Sequence, residues 1–157
     1  MFAKIDTESD IRFCVKLAEE IWKDHYTPVI GSDQVNYMLE KFQSTKAVNK
    51  QIEEGFHYYL IDSSKGYFSY IHKADCLFIS KLYVHKNFRG QGLGKKAIDF
   101  ISSKAIDKKI LRLTVNRNNF SAVEFYKRQR FKIAEEADFD IGNSFFMNDY
   151  VMEKNLS

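Results

Sequence analysis

Proline occurs once in the 157 residues, at Pro28, and cysteine twice, at Cys14 and Cys76. So little proline leaves no room for a proline-rich linker, and two thiols make neither a disulfide framework nor a zinc site. No metal is expected, and a reducing cytoplasm is the natural setting. Long uncharged runs are missing too. The longest stretches without Asp, Glu, Lys or Arg are eight residues, 25–32 and 141–148, against the roughly 18 needed to span a bilayer. Residues 1–25 carry Asp6, Glu8, Asp10, Glu19, Glu20 and Asp24, which leaves no uninterrupted apolar segment of signal-peptide type. A membrane partner and an exported location are therefore not expected. Charge of one sign is scarce: 24 basic against 21 acidic residues give +3 and a pI near 8.7. That is too little for a dedicated nucleic-acid binder, so no nucleic-acid partner is expected.

Aromatic residues are abundant, with 14 Phe, 9 Tyr and 1 Trp, and 45% of the chain is apolar. This supplies a substantial core, and the length fits a single domain over 1–157. Phe2 to Ile5 reads as a strand. Thr7-Glu8-Ser9-Asp10 then resembles a capping box, opening a helix with Ile11, Val15, Ala18 and Trp22 on one face. Pro28 and Gly31 break that pattern, and Ser32 opens a second helix with Val35, Met38, Leu39 and Phe42 at helical spacing. A helical pair thus precedes the sheet.

From Phe56 to Val84 aromatic and β-branched residues crowd together, with turns at 62–66 and 72–75, which predicts three strands in a meander. Leu93, Ala97, Ile101 and Ala105 restore helical spacing, with Lys108-Lys109 expected in the last turn. Ile110 to Val115 reads as a buried strand. Ser121 to Glu124 reads as a capping box for a helix running to about Gln129, and 131–141 with 145–152 as a hairpin across Gly142-Asn143. A crossover between the strands at Leu77 and Val115 makes those two parallel within an otherwise antiparallel sheet. The expected fold is α/β (α+β), a central mixed, mostly antiparallel twisted sheet flanked by helices, in the order β-α-α-β-β-β-α-β-α-β-β.

The segment richest in chemistry runs from Leu82, Tyr83 and Val84 on a strand, through Arg89-Gly90-Gln91-Gly92-Leu93-Gly94-Lys95, into a helix. Its glycines allow close backbone approach, and free amides at a helix start attract an anion such as a pyrophosphate. A dinucleotide G-x-G-x-x-G starting at Gly90 would need glycine at Lys95. A Walker loop ending at Gly94-Lys95 would need Ser or Thr at Lys96 and glycine at Arg89. Both fail, and Arg89-x-x-Gly92-x-Gly94 remains.

This motif, between a strand and a helix, resembles the Q/R-x-x-G-x-G/A hallmark of the GNAT superfamily of acyl-CoA-dependent N-acetyltransferases. A second stretch agrees: Asn116, then Asn119 to Tyr126, ending in Phe131, resembles the family's N-x-x-A-x-x-x-Y-x-x-x-G-F signature. Motif-level resemblance covers about Leu77 to Phe131. It implies acetyl-CoA as co-substrate, with amides from Gln91 to Lys95 on the pyrophosphate and backbone groups of Leu82 to Val84 pairing with the pantetheine arm as an added strand would. That placement requires the strand of Tyr83 to splay from the strand of Val115, often through a bulge. The resemblance makes Tyr126 the donor to the departing thiolate and lets Asn116 or Asn119 bond the cofactor arm. The implied activity is acetyl transfer to a primary amine, a small cationic molecule, by direct attack in a ternary complex. A lysine or N-terminal acetyltransferase and a noncatalytic acyl-CoA-binding module are the alternatives, and a homodimer stays open.

Two departures stand out. Arg130 replaces the glycine before Phe131, so a helix end that favours a left-handed residue has to do without it. The strand from Leu77 to Val84 contains Phe78, Ser80 and Lys81 but no carboxylate, whereas many relatives carry an acidic base there. A base or a water path is needed because an alkylamine with pKa near 10.4 is protonated at neutral pH. Glu20, Asp24, His25, His72, Asp75 and His85 are the candidates, none preferred. Acceptor choice is expected in the helical pair and its loop, especially 22–34, where Trp22 and Tyr26, with Tyr37, could form an aromatic wall backed by Glu19, Glu20, Asp24 and Asp33.

Overall fold

In the computed structural model, which describes residues 1–156, one seven-stranded sheet carries helices on both faces. In chain order the elements are β1 (Phe2–Lys4), α1 (Glu8–Ile30), α2 (Ser32–Phe42), α3 (Thr45–Glu53), β2 (His57–Ile61), β3 (Gly66–His72), β4 (Leu77–Val84), a 3₁₀ turn (Lys86–Phe88), α4 (Leu93–Ser103), β5 (Ile110–Asn116), α5 (Phe120–Arg128), β6 (Lys132–Gly142) and β7 (Phe145–Asn155). The strands lie in the order β1-β2-β3-β4-β5-β7-β6, and every pairing is antiparallel except the one between β4 and β5. The mixed, mostly antiparallel sheet is thus as the sequence led us to expect, with β7 inserted between β5 and β6.

The helices differ in four respects. α1 passes through Pro28 and stops only at Gly31, whose φ is 85°. Proline is tolerated there because it falls in the last turn, where one lost hydrogen bond and a small deflection have little helix left to disturb. Only Gly31 separates α1 from α2, so 22–34 is helical rather than a loop. The helical pair is a trio. α3 is short and has only three apolar residues, Ala47, Val48 and Ile52, of which Val48 is buried and Ile52 packs beside it, too brief a pattern to stand out; its Ser44 cap accepts from the Ala47 amide at 3.2 Å. α4 ends at Ser103, and Lys108 lies beyond it, donating to the Ala74 carbonyl at 3.2 Å. The cap of α5 is Asn119 rather than Ser121, with its Oδ1 accepting from the Ala122 amide.

The opposite end of α5 keeps the left-handed turn despite Arg130, whose φ is 71°. Arg130 N–H donates to the Lys127 carbonyl and Phe131 N–H reaches back to the Tyr126 carbonyl, each at 3.0 Å. This paired closure is the Schellman motif, normally built on glycine. Arg130 is exposed, so its side chain gives little in return. Arg130→Gly is expected to raise stability by about 1 kcal/mol, read as a higher urea midpoint at unchanged slope; a lower midpoint would mean that the Arg130 side chain contributes more than its backbone strain costs.

Two helical layers bury two cores. Leu93, Ala97, Ile98 and Ile101 of α4 and Val123 and Tyr126 of α5 pack on Leu77, Ile79, Leu111 and Leu113 of the sheet. Ile11, Cys14, Ala18 and Ile21 of α1, with Val48 of α3, pack on Tyr58, Leu60 and Tyr67 from the other side. One irregularity links this packing to function. Ser69 of β3 faces Lys81 and Tyr70 faces Ile79, so Ser80 is an extra, bulged residue. Before it, Leu77 and Ile79 point into the α4–α5 core; after it, Leu82 and Val84 do, and Lys81 and Tyr83 turn to the α1–α3 face. Bulges both re-aim side chains and bend the strand. Accordingly β4 and β5 pair only from Leu77–Leu111 to Ile79–Leu113 and part beyond that point.

Candidate active site

A cavity of about 870 Å³ occupies the gap where β4 and β5 diverge, within the usual range for small-molecule sites. Its walls include Trp22, His25 and Tyr26 of α1, Ser80 to Val84 of β4, Arg89, Gly90 and Gly92 to Gly94 of the glycine segment, Thr114 and Asn116 of β5, Asn119 and Tyr126 at α5, and Asp149 of β7. Leu82, Tyr83, Val84, Arg89, Gly90, Gly92, Leu93, Gly94, Asn116, Asn119 and Tyr126 therefore share one wall system. Gln91 and Lys95 lie outside it, and Lys95 pairs with Asp99 at 3.2 Å.

The glycine loop is shaped by two different constraints. Gly92 caps α4 with φ 79°, a left-handed conformation, and a β-carbon built on it would meet nothing within 4 Å. That open space, at the helix start where the first amides lack intrahelical acceptors, fits a phosphate group. Gly94 is required for packing, since a β-carbon there would come within 2.8 Å of the Phe125 ring. Arg89 ties the loop to the strand by donating from Nε to the Val84 carbonyl at 3.0 Å. The helix start, the left-handed Gly92 and the unpaired end of β4 together fit a coenzyme A-type ligand with a pyrophosphate and an extended arm.

Behind the loop sits a cluster of phenols. Burial pushes Tyr26 up to about 12 and raises Tyr83 and Tyr126 further, with neighbouring phenols adding to both. All three stay protonated at neutral pH and can donate. Asn119 organises this region: its Nδ2 donates to Tyr26 OH at 3.1 Å, and its Oδ1 lies 3.1 Å from His25 Nε2 besides capping α5. Its amide is thereby committed to protein groups. His25 is held below its ordinary value, chiefly by burial, with the Arg89 charge acting in the same direction.

Two buried ionisable side chains on the cavity wall stand outside the base candidates that the sequence offered. Asp149, 4% exposed, sits opposite Asn116 across the β5–β7 pairing, and burial raises its carboxyl to about 6, partly offset by a hydrogen bond from Thr114. Its signal was the alternation Met147, Asp149, Val151 along β7, which puts a carboxylate on an apolar face. Lys81, 6% exposed, is lowered to about 7 by burial. Only the bulge reveals it, because an unbroken strand would have sent Lys81 to the other face.

The other candidate bases are placed elsewhere. Glu20 pairs with His85 at 3.0 Å and Asp24 with Lys86 at 3.1 Å, fastening the end of β4 to α1, while Asp75 pairs with Arg112 at 2.9 Å. Of the aromatic wall, Trp22 and Tyr26 line the cavity; Tyr37 instead donates to the Ile141 carbonyl at 2.6 Å, and Glu19 is taken by Lys23 at 2.8 Å. Both cysteines are buried and neither lines the cavity. Among the described residues no group of three or more His, Cys, Asp or Glu is placed to hold a metal, and no helix is long and apolar enough to cross a membrane.

A mixed sheet split between β4 and β5 beside a glycine-capped helix defines the site. The sequence matches the acetyltransferase (GNAT) domain family over residues 26–147, and the chain belongs to that family. Solved structures agree in fold. The PaiA N-acetyltransferase of Thermoplasma acidophilum, solved with coenzyme A, is 21% identical with a TM-score of 0.74, covering 99% of both chains. A GCN5-related N-acetyltransferase of Rhodopseudomonas palustris is 17% identical with a TM-score of 0.80, covering 99% of this chain and 95% of that one. A GNAT acetyltransferase of Elizabethkingia anophelis, solved with acetyl-CoA, is 15% identical with a TM-score of 0.56, covering 72% and 84%. No curated protein matches the sequence.

Proposed function

We propose that this protein transfers an acetyl group from acetyl-CoA to the primary amine of a small molecule that arrives as a cation, by direct attack in a ternary complex. The parting of β4 from β5 beside the Gly92-capped helix, with Tyr126 on the same cavity wall, carries this reading. The amides around Gly92 take the pyrophosphate, and the unpaired edge of β4 from Leu82 to Val84 takes the pantetheine arm as an added strand would. Neighbours solved with coenzyme A and with acetyl-CoA support that co-substrate.

Asp149 accepts one proton from the incoming ammonium, and a carboxyl lifted to about 6 is suited to doing so near neutral pH. The freed amine then forms its C–N bond at the thioester carbon as the C–S bond breaks. Tyr126 donates its hydroxyl proton to the departing sulfur and is restored by the second proton that the nitrogen gives up. Products are the amide, the free thiol and one proton held by Asp149 for release to solvent. Trp22 and Tyr26 offer ring faces to the ammonium on its way in.

The test is release of free CoA from acetyl-CoA across a panel of small amines and lysine-containing peptides. Small amines are expected to turn over faster than peptides. Faster peptides would favour a protein acetyltransferase, and CoA binding without turnover would favour an acyl-CoA-binding module. In the same protein CoA should raise the melting temperature, since it binds the folded state alone. Gly92→Val should remove most of that rise by filling the space beyond the left-handed residue. A retained rise in a folded variant would dismiss the glycine cradle.

A further inference from the structure

We infer that the acceptor is a zwitterion, an amine whose molecule also carries a carboxylate, and that Lys81 is the residue that binds the carboxylate. This rests on the acetyl-transfer reading. Lys81 lines the cavity yet is almost wholly buried. Its Nζ donates to the Phe42 carbonyl at 2.6 Å and to Gln51 Oε1 at 3.2 Å, and contacts Tyr58 OH at 2.5 Å. Every one of these partners is neutral; together they take all three N–H bonds of the ammonium, so a carboxylate binds by displacing the longest of them, Gln51 Oε1 at 3.2 Å. The nearby Cys14 thiol offers no counter-ion either, because burial pushes it up to about 12. Among the described residues no carboxylate is within ion-pairing distance of Lys81.

A buried ammonium without an anion is costly, which is why burial lowers Lys81 to about 7. A carboxylate arriving on Nζ restores the charged form, whereas an apolar side chain of similar length would fill the same seat without that cost. The bulge at Ser80 nevertheless turns Lys81, together with Tyr83, onto the face of the sheet that carries Asn116 and Asp149. The cavity therefore holds two buried ionisable groups of opposite sign, Asp149 and Lys81, and no ion pair joins them among the described residues. An acceptor long enough to put its ammonium on Asp149 and its carboxylate on Lys81 satisfies both at once. A simple polyamine would leave Lys81 unmatched and bring more positive charge toward it.

Matched pairs that differ only in the carboxylate decide the question: L-alanine and ethylamine, L-phenylalanine and phenethylamine, L-lysine and cadaverine, and 4-aminobutyrate and propylamine. A charge-assisted hydrogen bond in a buried site should favour the carboxylated member of at least one pair by about 10- to 100-fold in kcat/KM. Lys81→Met, which keeps length and packing, should bring that ratio to about one, mainly through KM, and Lys81→Gln should do the same if the methionine variant does not fold. A binding arm uses saturating CoA and no turnover. There the carboxylated member should raise the wild-type melting temperature more than its partner does, and this difference should vanish in the variant. The inference is overturned if wild type shows no preference for a carboxylate in either arm, or if the preference survives loss of the lysine. Failure of every amine to release CoA would defeat acetyl transfer, while the binding arm would still decide the role of Lys81.

Discussion

Asp149→Asn is expected to give a protein that is more stable and about 10²- to 10³-fold slower at pH 7. The two effects share one cause. Burial holds the folded carboxyl at about 6 against an ordinary 3.8, so the folded state binds the proton more tightly than the unfolded chain does. Stability contributed by this residue is then greatest below pH 4 and falls as pH rises through the interval from 4 to 6. Above that window the ionised, buried Asp149 weakens the fold by about 3 kcal/mol, an amount that the asparagine variant should recover at pH 8 and not at pH 4. The rate loss follows from deleting a base worth about 10²- to 10⁴-fold. Wild-type kcat/KM should therefore fall below about pH 6 as Asp149 protonates, and this acid limb should flatten in the variant. A variant that is merely more stable, with wild-type rate and an unchanged acid limb, would reduce Asp149 to an unmatched buried carboxylate.

Tyr126→Phe should lower turnover by about 100-fold with little change in stability or CoA affinity, since the ring and its contacts with Phe125 and Phe131 are kept. The magnitude comes from comparing acids. A thiol of the CoA type has a pKa near 8.5, whereas burial and the Tyr26 phenol hold Tyr126 well above the ordinary tyrosine value. Complete proton transfer from such a phenol to the sulfur is uphill until the nitrogen returns a proton, so the main benefit is a strong hydrogen bond to the developing thiolate. That places the loss at the lower end of general acid catalysis. The measurement is kcat from pH 6 to 9 at saturating acetyl-CoA and acceptor, with chemistry limiting. Unchanged turnover across that range would make Tyr126 a packing residue.

The glycine loop and the Asn116–Phe131 stretch were legible because their information is local. Left-handed Gly92 and the start of α4 are properties of a few consecutive residues, and so is the alternation that put Leu111, Leu113 and Val115 on one face of β5. Helix limits were less legible where local rules competed. Pro28 reads as a breaker yet rides inside α1, and the nine-residue α3 carries only Ala47, Val48 and Ile52 to mark its apolar face. Of the three aromatic residues grouped as a wall, helical spacing placed Trp22 on the inner face of α1, but nothing local shows the carbonyl of Ile141 that takes Tyr37.

By itself, the sequence determined a mixed sheet flanked by helices and a glycine-rich helix start, because hydrophobic period, capping and glycine conformation act within a few residues of one another; the place of Tyr126 came through the resemblance to the family. Only the tertiary structure decided which ionisable groups serve the cavity. Asp149 reaches it because β7 comes home between β5 and β6, and Lys81 because one extra residue at Ser80 reverses the direction of everything after it on β4. A side chain's charge state and neighbours depend on desolvation by segments far away in the chain. Spacing along the sequence does not encode that, whereas strand pairing, register and burial do.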